Sequence, residues 1–206
     1  DWQVDSDVMK LHQSSSVGNE NLLQHLDLYL PRARNFNDLP YLSQLLQAEG
    51  LKLAIEGHRR ARPVTMGSLY WQLNDCWPAV SWSSIDFFGN WKALHYKTKR
   101  SFENVLISSK VENDTLKTFV INDDLQSYSG QLSLKIIDFS GEVIWENINT
   151  IDVASNSSGI KNELELNKIQ FNKDEVVLVA TFNKCTSYFY FTKPKGLKLE
   201  PGWRFA

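Results

Sequence analysis

Two textures of apolar and polar positions divide the chain near residue 105. Before it, apolar residues recur at helical spacing. Residues 5–13 and 20–29 read as short helices, the second ended by Pro31. A long amphipathic helix follows, with Asn37 or Asp38 as its N-cap and Pro40 in the first turn. Leu42, Leu45, Leu46, Leu53 and Ile55 form its apolar stripe. Gly50 weakens it by about 1 kcal/mol. Arg59, Arg60 and Arg62 suit the negative end of the helix dipole, and Pro63 stops the helix. Residues 64–73 are then almost continuously apolar or β-prone, which is how a strand buried on both faces reads. A loop over 74–90 and a last helix over 91–102 complete the segment. Helix, buried strand, loop and helix form the repeat unit of an α/β barrel.

After residue 104 the period shortens to two. Strands are expected at 105–111, 115–121, 131–138, 143–153, 161–166, 175–182 and 187–191. Turn chemistry separates them: Asn113-Asp114, Asn122-Asp123-Asp124, Ser140-Gly141, Asn156-Ser157-Ser158-Gly159 and Asn172-Lys173-Asp174. Seven short strands in about 100 residues are the pattern of an immunoglobulin-like β-sandwich. The expected fold is therefore α/β plus all-β, with residues 1–104 as part of a (β/α)8 TIM barrel and 105–206 as the sandwich. A complete barrel takes about 250 residues, so 104 can hold only part of one.

Composition narrows the function. A net charge of −2 over 206 residues leaves no basic footprint for nucleic acid. No apolar run approaches the roughly 18 residues that span a bilayer, so no membrane partner is expected. The chain starts at Asp1 with no signal or lipidation motif, as a piece of a longer polypeptide would. Cys76 and Cys185 fall in different expected domains, so no bridge is expected, and Cys76 reads as a small buried side chain. His12, His25, His58 and His95 are scattered without ligand spacing, so neither metal nor cofactor is implied. No Gly-x-Ser-x-Gly motif supports a serine hydrolase.

Four of the seven Trp fall between positions 71 and 91. A core seldom needs so much indole in so short a stretch. A carbohydrate pocket does, because pyranose rings present flat C–H faces to aromatic rings and hydroxyls to amides and carboxylates. The run Tyr70-Trp71-Gln72-Leu73-Asn74-Asp75-Cys76-Trp77-Pro78 is followed by Ser81-Trp82-Ser83-Ser84-Ile85-Asp86 and Gly89-Asn90-Trp91-Lys92-Ala93-Leu94-His95-Tyr96. Together they strongly resemble the last barrel strand and following loop of β-mannosidases. These sit in glycoside hydrolase family 2 with β-galactosidase and β-glucuronidase. His12-Gln13, Gly18-Asn19 and Pro194-Lys195-Gly196-Leu197-Lys198-Leu199 fit the same family less specifically.

The resemblance implies a retaining exo-glycosidase acting on terminal β-D-mannose of oligosaccharides, with this chain as a C-terminal fragment of it. Two glutamates serve such enzymes as acid/base and nucleophile, about 5–5.5 Å apart. Here Glu49, Glu56 and Glu103 lie on or beside helices and Glu20 in a Gly-Asn-Glu-Asn turn, none at the end of a buried strand. No catalytic residue is therefore expected in this chain; both glutamates belong upstream, and the isolated chain is expected to be inactive. Its partners would be the upstream domains of the same polypeptide and a β-mannoside.

The substrate-binding residues expected here are Trp71, as floor or side of the terminal-sugar subsite, with Asn74, Asp75 and Trp82. Each has a structural alternative. Trp71 could pack in the core, Asn74 could fix the loop, Asp75 could cap a turn, and Trp82 could lie beneath the pocket. Trp77, Trp91 and Tyr96 are expected to pack. Other family 2 activities (β-glucosaminidase, β-galactosidase, β-glucuronidase) share the motif, and a non-catalytic carbohydrate-binding or structural module is the rival from another class. Tyr128, Trp145, Tyr188 and Tyr190 of the sandwich read as ordinary strand residues. Family habit points to a periplasmic, secreted or lysosome-like compartment; the residues themselves leave localisation unknown.

Overall fold

Backbone turn chemistry builds the sandwich. The structure is a computed structural model describing residues 3–199; the outermost positions of the two expected domains, 1–2 and 200–206, lie outside the described residues. Asn113 and Asp114 both take positive φ, 51° and 54°, between strands β1 (Val105–Glu112) and β2 (Thr115–Asn122). Two consecutive left-handed residues match the twist of paired strands, and Asn and Asp tolerate that region better than most. Asn183, at φ 54°, serves the same purpose between β6 (Val176–Phe182) and β7 (Cys185–Tyr190). Between β3 (Tyr128–Asp138) and β4 (Val143–Val153), the Asp138 carboxylate accepts from the Ser140 and Glu142 N–H groups at 2.9 and 2.8 Å, and Gly141 takes φ 96°. Strand β5 spans Ser157–Glu165.

The seven strands form two antiparallel sheets, β1-β2-β5 and β4-β3-β6-β7. Period-two alternation turns Leu132, Leu134 and Ile136 of β3 and Val176, Leu178, Ala180 and Phe182 of β6 inward, against Ile107, Leu116 and Val120 of the other sheet. Each large side chain so buried contributes about 1.5–3 kcal/mol. Asn122 is also fully buried, with its polar groups satisfied. Its amide donates to Gln126 O and Ala154 O, and its oxygen accepts from the Asp124 N–H at 2.9 Å. The separator expected from sequence is therefore a hydrogen-bonded corner joining two turns.

The other unit is helical. Helix α1 (Asp7–Leu11) is capped by Ser6, whose Oγ accepts from the Met9 N–H. Helix α2 (Gly18–Tyr29) begins earlier than expected. Glu20 is thus corrected from a turn to its first helical turn, where a carboxylate suits the positive dipole end. Helix α3 spans Asp38–Arg60 and α4 Ala93–Ser101. Leu26, Leu30 and Leu39 form a core with Phe36, Leu42 and Leu46 at its edge. Leu53 departs from the expected stripe: it is 61% exposed, while Ala48 and Ile55 are buried. The buried face rotates along α3, since positions 48, 52, 55, 56 and 59 share one side of a 3.6-residue helix.

Two compact units result. One comprises the residues up to Gly57 with Gly67–Phe102; the other comprises His58–Met66 with the residues from Glu103 onward. His58–Met66 therefore group with the sandwich, although they precede the single boundary after residue 104. Within that second unit, Arg59 and Arg62 pair with Asp123 at 3.0 and 2.7 Å, and Arg59 also donates to Glu103 O at 2.8 Å.

Residues 64–73 differ from the expected buried strand. They pair with no strand among the described residues, and Leu69, Trp71 and Leu73 are 102%, 73% and 57% exposed. From Ser68 to Leu73, half-buried and exposed positions still alternate, so the strand period survives without a ladder. A parallel strand is stable only between neighbours, and among the described residues the sheets are those of the sandwich.

Candidate functional site

The Trp-rich segment is organised around Asp75. Its residue is 7% exposed, and its carboxylate is surrounded by donors. Gln72 Nε2 reaches Oδ1 at 3.3 Å. Ser81 Oγ and Ser83 Oγ reach Oδ2 at 2.8 and 2.5 Å, and Lys92 Nζ lies 3.4 Å from the same oxygen. Burial alone pushes this carboxyl up. The Ser83 and Ser81 hydroxyls and the Lys92 ammonium outweigh it and hold the group below its usual range. Asp75 is ionised at neutral pH and committed to its loop.

Backbone bonds fix the same loop. Ser84 N–H donates to Gln72 O at 2.9 Å, Ile85 N–H to Leu73 O at 2.8 Å, and Lys92 N–H to Ser84 O at 2.9 Å. The buried Ser84 hydroxyl donates to Leu73 O and sits 3.0 Å from Tyr70 Oη and 3.2 Å from His95 Nδ1. Farther along, His12 stacks on Trp77 with ring centroids 4.6 Å apart, and its Nδ1 lies 2.6 Å from Pro78 O. Val80 N–H donates to His12 O, and Ser14 N–H to Val80 O. The turn before α4 is closed by Asp86, whose carboxylate accepts from Asn90 Nδ2 and from the Phe88 and Asn90 N–H groups. Those bonds, Asn90's first, lower its carboxyl.

Against this frame, the four expected sugar contacts divide. Trp71, Asn74 and Trp82 are exposed; Asp75 is not. Asn74 bridges Ile85 through its backbone, and the Trp82 carbonyl accepts from Gln47 Nε2 at 2.8 Å. Asp75 is joined to Ser81 and Ser83, on either side of Trp82. Cys76 is exposed, a correction to its expected burial; the side chain buried at this point of the loop is that of its neighbour Asp75. Trp77 covers His12 yet remains partly open to solvent. Trp91 contacts His95 and Tyr96 with centroids 4.2 and 5.3 Å away. Ser81, Ser83, Lys92, Gln72 and His12 were not singled out as site residues from sequence. Only Lys92, a cation at a helix start, left a local signal.

Among the described residues no group of three or more His, Cys, Asp or Glu is disposed to hold a metal ion, and no helix is long and apolar enough to cross a membrane. On the sandwich, Tyr128 and Trp145 are half-buried against the core, while Tyr188 and Tyr190 are exposed on the edge strand β7. A separate groove of about 610 Å³ is lined by Ser127, Tyr128, Ser129, Asp152, Ser158 and Lys161, among others.

Comparison with known proteins agrees with this architecture. Residues 114–195 match the family of Mannosidase Ig/CBM-like domains. A β-mannosidase from Capra hircus is 35% identical over 153 residues, covering 68% of this chain and 17% of that relative. The crystal structure of β-D-mannosidase from Dictyoglomus thermophilum superposes with a TM-score of 0.89 at 30% identity, over 95% of this chain and 24% of that one. An exo-chitosanase from Amycolatopsis orientalis shares the fold, with a TM-score of 0.71 at 22% identity over 87% of this chain and 22% of that one. The chain thus spans less than a quarter of the length of these proteins. It belongs to the glycoside hydrolases, as a fragment of the β-mannosidase type of family 2.

Proposed function

We propose that the chain forms the closing part of a (β/α)8 barrel, residues 1–104, and the sandwich that follows it, 105–206, in a retaining exo-β-mannosidase. Residues 64–73 are then a barrel strand whose neighbours come from the rest of the polypeptide. The loop after it is one wall of the subsite for the terminal sugar. The observation that carries this reading is the exposed Trp71 beside a loop locked from behind by Asp75, in a chain similar along nearly its whole length to a β-D-mannosidase. An indole face stacks on the C–H face of a pyranose, and the exposed Asn74 offers an amide to its hydroxyls.

The catalytic glutamates lie outside this chain in the same reading. Glu20 is in α2, Glu49 and Glu56 are in α3, and Glu103 follows α4; none is on the loop that carries Trp71 and Asn74. A retaining mechanism needs a carboxyl pair about 5–5.5 Å apart across the glycosidic bond. The chain alone therefore binds sugar weakly and hydrolyses nothing, and the longer polypeptide acts on β-mannosides in oligosaccharides. The test is kinetic: express the longer polypeptide and compare kcat/KM on aryl β-mannoside, β-glucosaminide, β-galactoside and β-glucuronide. A dominant rate on mannoside supports the reading. Dominance of another sugar keeps the fold and moves the specificity. Hydrolysis by the purified fragment alone overturns the placement of the glutamates.

A further inference from the structure

The start of α4 breaks a local rule. Helix N-caps favour Ser, Thr, Asp or Asn, whose oxygen accepts from a first-turn N–H, and cations are disfavoured at the positive end of the dipole. Here the N-cap is Lys92, which makes no side-chain cap bond. The orphan N–H of Ala93 is satisfied instead by Gln44 Oε1 of α3, at 3.1 Å. The Lys92 side chain therefore does nothing for its own helix, whose His95 N–H donates to the Lys92 carbonyl instead. Its ammonium turns back to Ser83 Oγ at 2.6 Å, Ser81 Oγ at 3.4 Å and Asp75 Oδ2 at 3.4 Å, with 13% of the side chain exposed. A residue that violates local preference and is buried by a tertiary partner is held there by what it does for the partner.

Asp75 is that partner, and its buried carboxylate is turned to the donors of its own loop. An ionised carboxylate offers about four acceptor positions. Ser81, Ser83 and Lys92 converge on Oδ2 and Gln72 reaches Oδ1, and with the residue 7% exposed little of the group is open to a sugar. Asp75 and its ammonium stand behind the loop, while Trp71 and Asn74 stand in front of it, exposed.

We propose that Lys92 is a positioning residue of the sugar subsite: through Asp75, Ser81 and Ser83 it holds the loop that presents Trp71 and Asn74. This rests on the β-mannosidase reading above and moves Asp75 from the sugar contacts to their support. One end of the clamp is the N-cap of α4, so the loop that carries the other end is tied to regular structure before sugar arrives.

The test compares variants of the longer enzyme on an aryl β-mannoside. Lys92→Met removes the ammonium and keeps much of the stem. It is expected to raise KM about tenfold while kcat changes less than about threefold, since ground-state and transition-state binding are lost together. Lys92→Arg is expected to recover most of the loss. A general loss of folded protein would not split KM from kcat in this way. Trp71→Ala tests the underlying reading: unchanged KM there overturns the subsite itself. A raised KM in Trp71→Ala with wild-type kinetics in Lys92→Met overturns only the positioning role. A Lys92→Met defect confined to kcat overturns it too, by placing Lys92 at the transition state. Hydrogen exchange on the present chain decides the clamp without activity. Lys92→Met should speed exchange of the Ser83, Ser84 and Ile85 amides about tenfold or more and leave β1–β7 unchanged; unaltered protection overturns the clamp.

Discussion

A Cβ built on Gly18 lies 2.4 Å from Cδ of Gln13, so the first residue of α2 has no room for a side chain while Gln13 stays in place. The Gln13 amide is itself engaged. Its Nε2 donates to Asn19 Oδ1 at 2.5 Å, and its Oε1 accepts from the Ser15 N–H at 3.2 Å. Gly18→Ala must expel it, breaking both bonds, and is expected to destabilise the helical unit by about 1 kcal/mol. Gly50, inside α3, has nothing within 4 Å of the same built atom. Gly50→Ala should stabilise by about 0.5–1 kcal/mol. Urea denaturation of both variants gives opposite signs if space decides, and the same sign if helix propensity alone does.

Asp123 holds two guanidiniums of the second unit. Arg59 is nearly buried and Arg62 largely so, while Asp123 is about one-third exposed. Asp123→Ala strands both cations beside an unfilled site. The expected loss is about 1–2 kcal/mol, below that for a fully buried pair because solvent reaches the carboxylate. The shift in urea midpoint at constant slope measures it.

Glu112, at the end of β1, is held near pKa 2 rather than its usual 4.5, first by hydrogen bonds from Lys117 and then Lys110, at 2.7 and 3.0 Å. A carboxyl depressed on folding adds stability that is fully present above its unfolded value and is lost as pH falls toward its folded value. The stability of the wild-type chain should therefore decline between pH 4.5 and about 2 with a contribution that Glu112→Gln removes. Asp75 shifts in the same direction, so Lys92→Met should bring its carboxyl resonance to titrate at higher pH, seen by carbon NMR.

Burial separates two residues of similar size in the sandwich. Phe182 is inaccessible at the centre of the core and Leu125 almost fully exposed in a turn. Phe182→Ala should lose about 3–5 kcal/mol and Leu125→Ala less than about 0.5 kcal/mol, both by thermal unfolding.

The open row of Leu69, Trp71 and Leu73 predicts self-association of the chain on its own, since an apolar strand without a ladder seeks one. Leu69→Ser with Leu73→Ser should reduce the sedimenting mass toward the monomer at unchanged melting temperature; unchanged association would put the contact elsewhere.

Much of the sandwich was legible because its signals are local. Strand β4 spans the expected 143–153, and the Asn113-Asp114 and Ser140-Gly141 turns fall where their residue types placed them. Period-two alternation says which side chains share a face, and Asn, Asp and Gly say where the backbone turns left-handed, with no knowledge of partners. The helices were legible to within a few residues for the same reason.

Of the candidate site, the sequence singled out mainly the exposed residues. Trp71, Asn74 and Trp82 stand out as residue types, and they are the exposed ones. The support behind them was not legible, because Lys92 is seventeen positions from Asp75 and no periodicity links a loop carboxylate to a helix N-cap. Likewise, the face of α3 that Leu53 occupies, the exposure of Cys76 and the absence, among the described residues, of a β-strand paired with residues 64–73 depend on which surfaces meet. Sequence by itself determined the helices, the sandwich strands and the aromatic run, since propensity, period and turn preference act within a few residues. Tertiary structure alone decided which polar groups are buried together and which apolar ones stay open, because desolvation and pairing are set by neighbours brought from far along the chain.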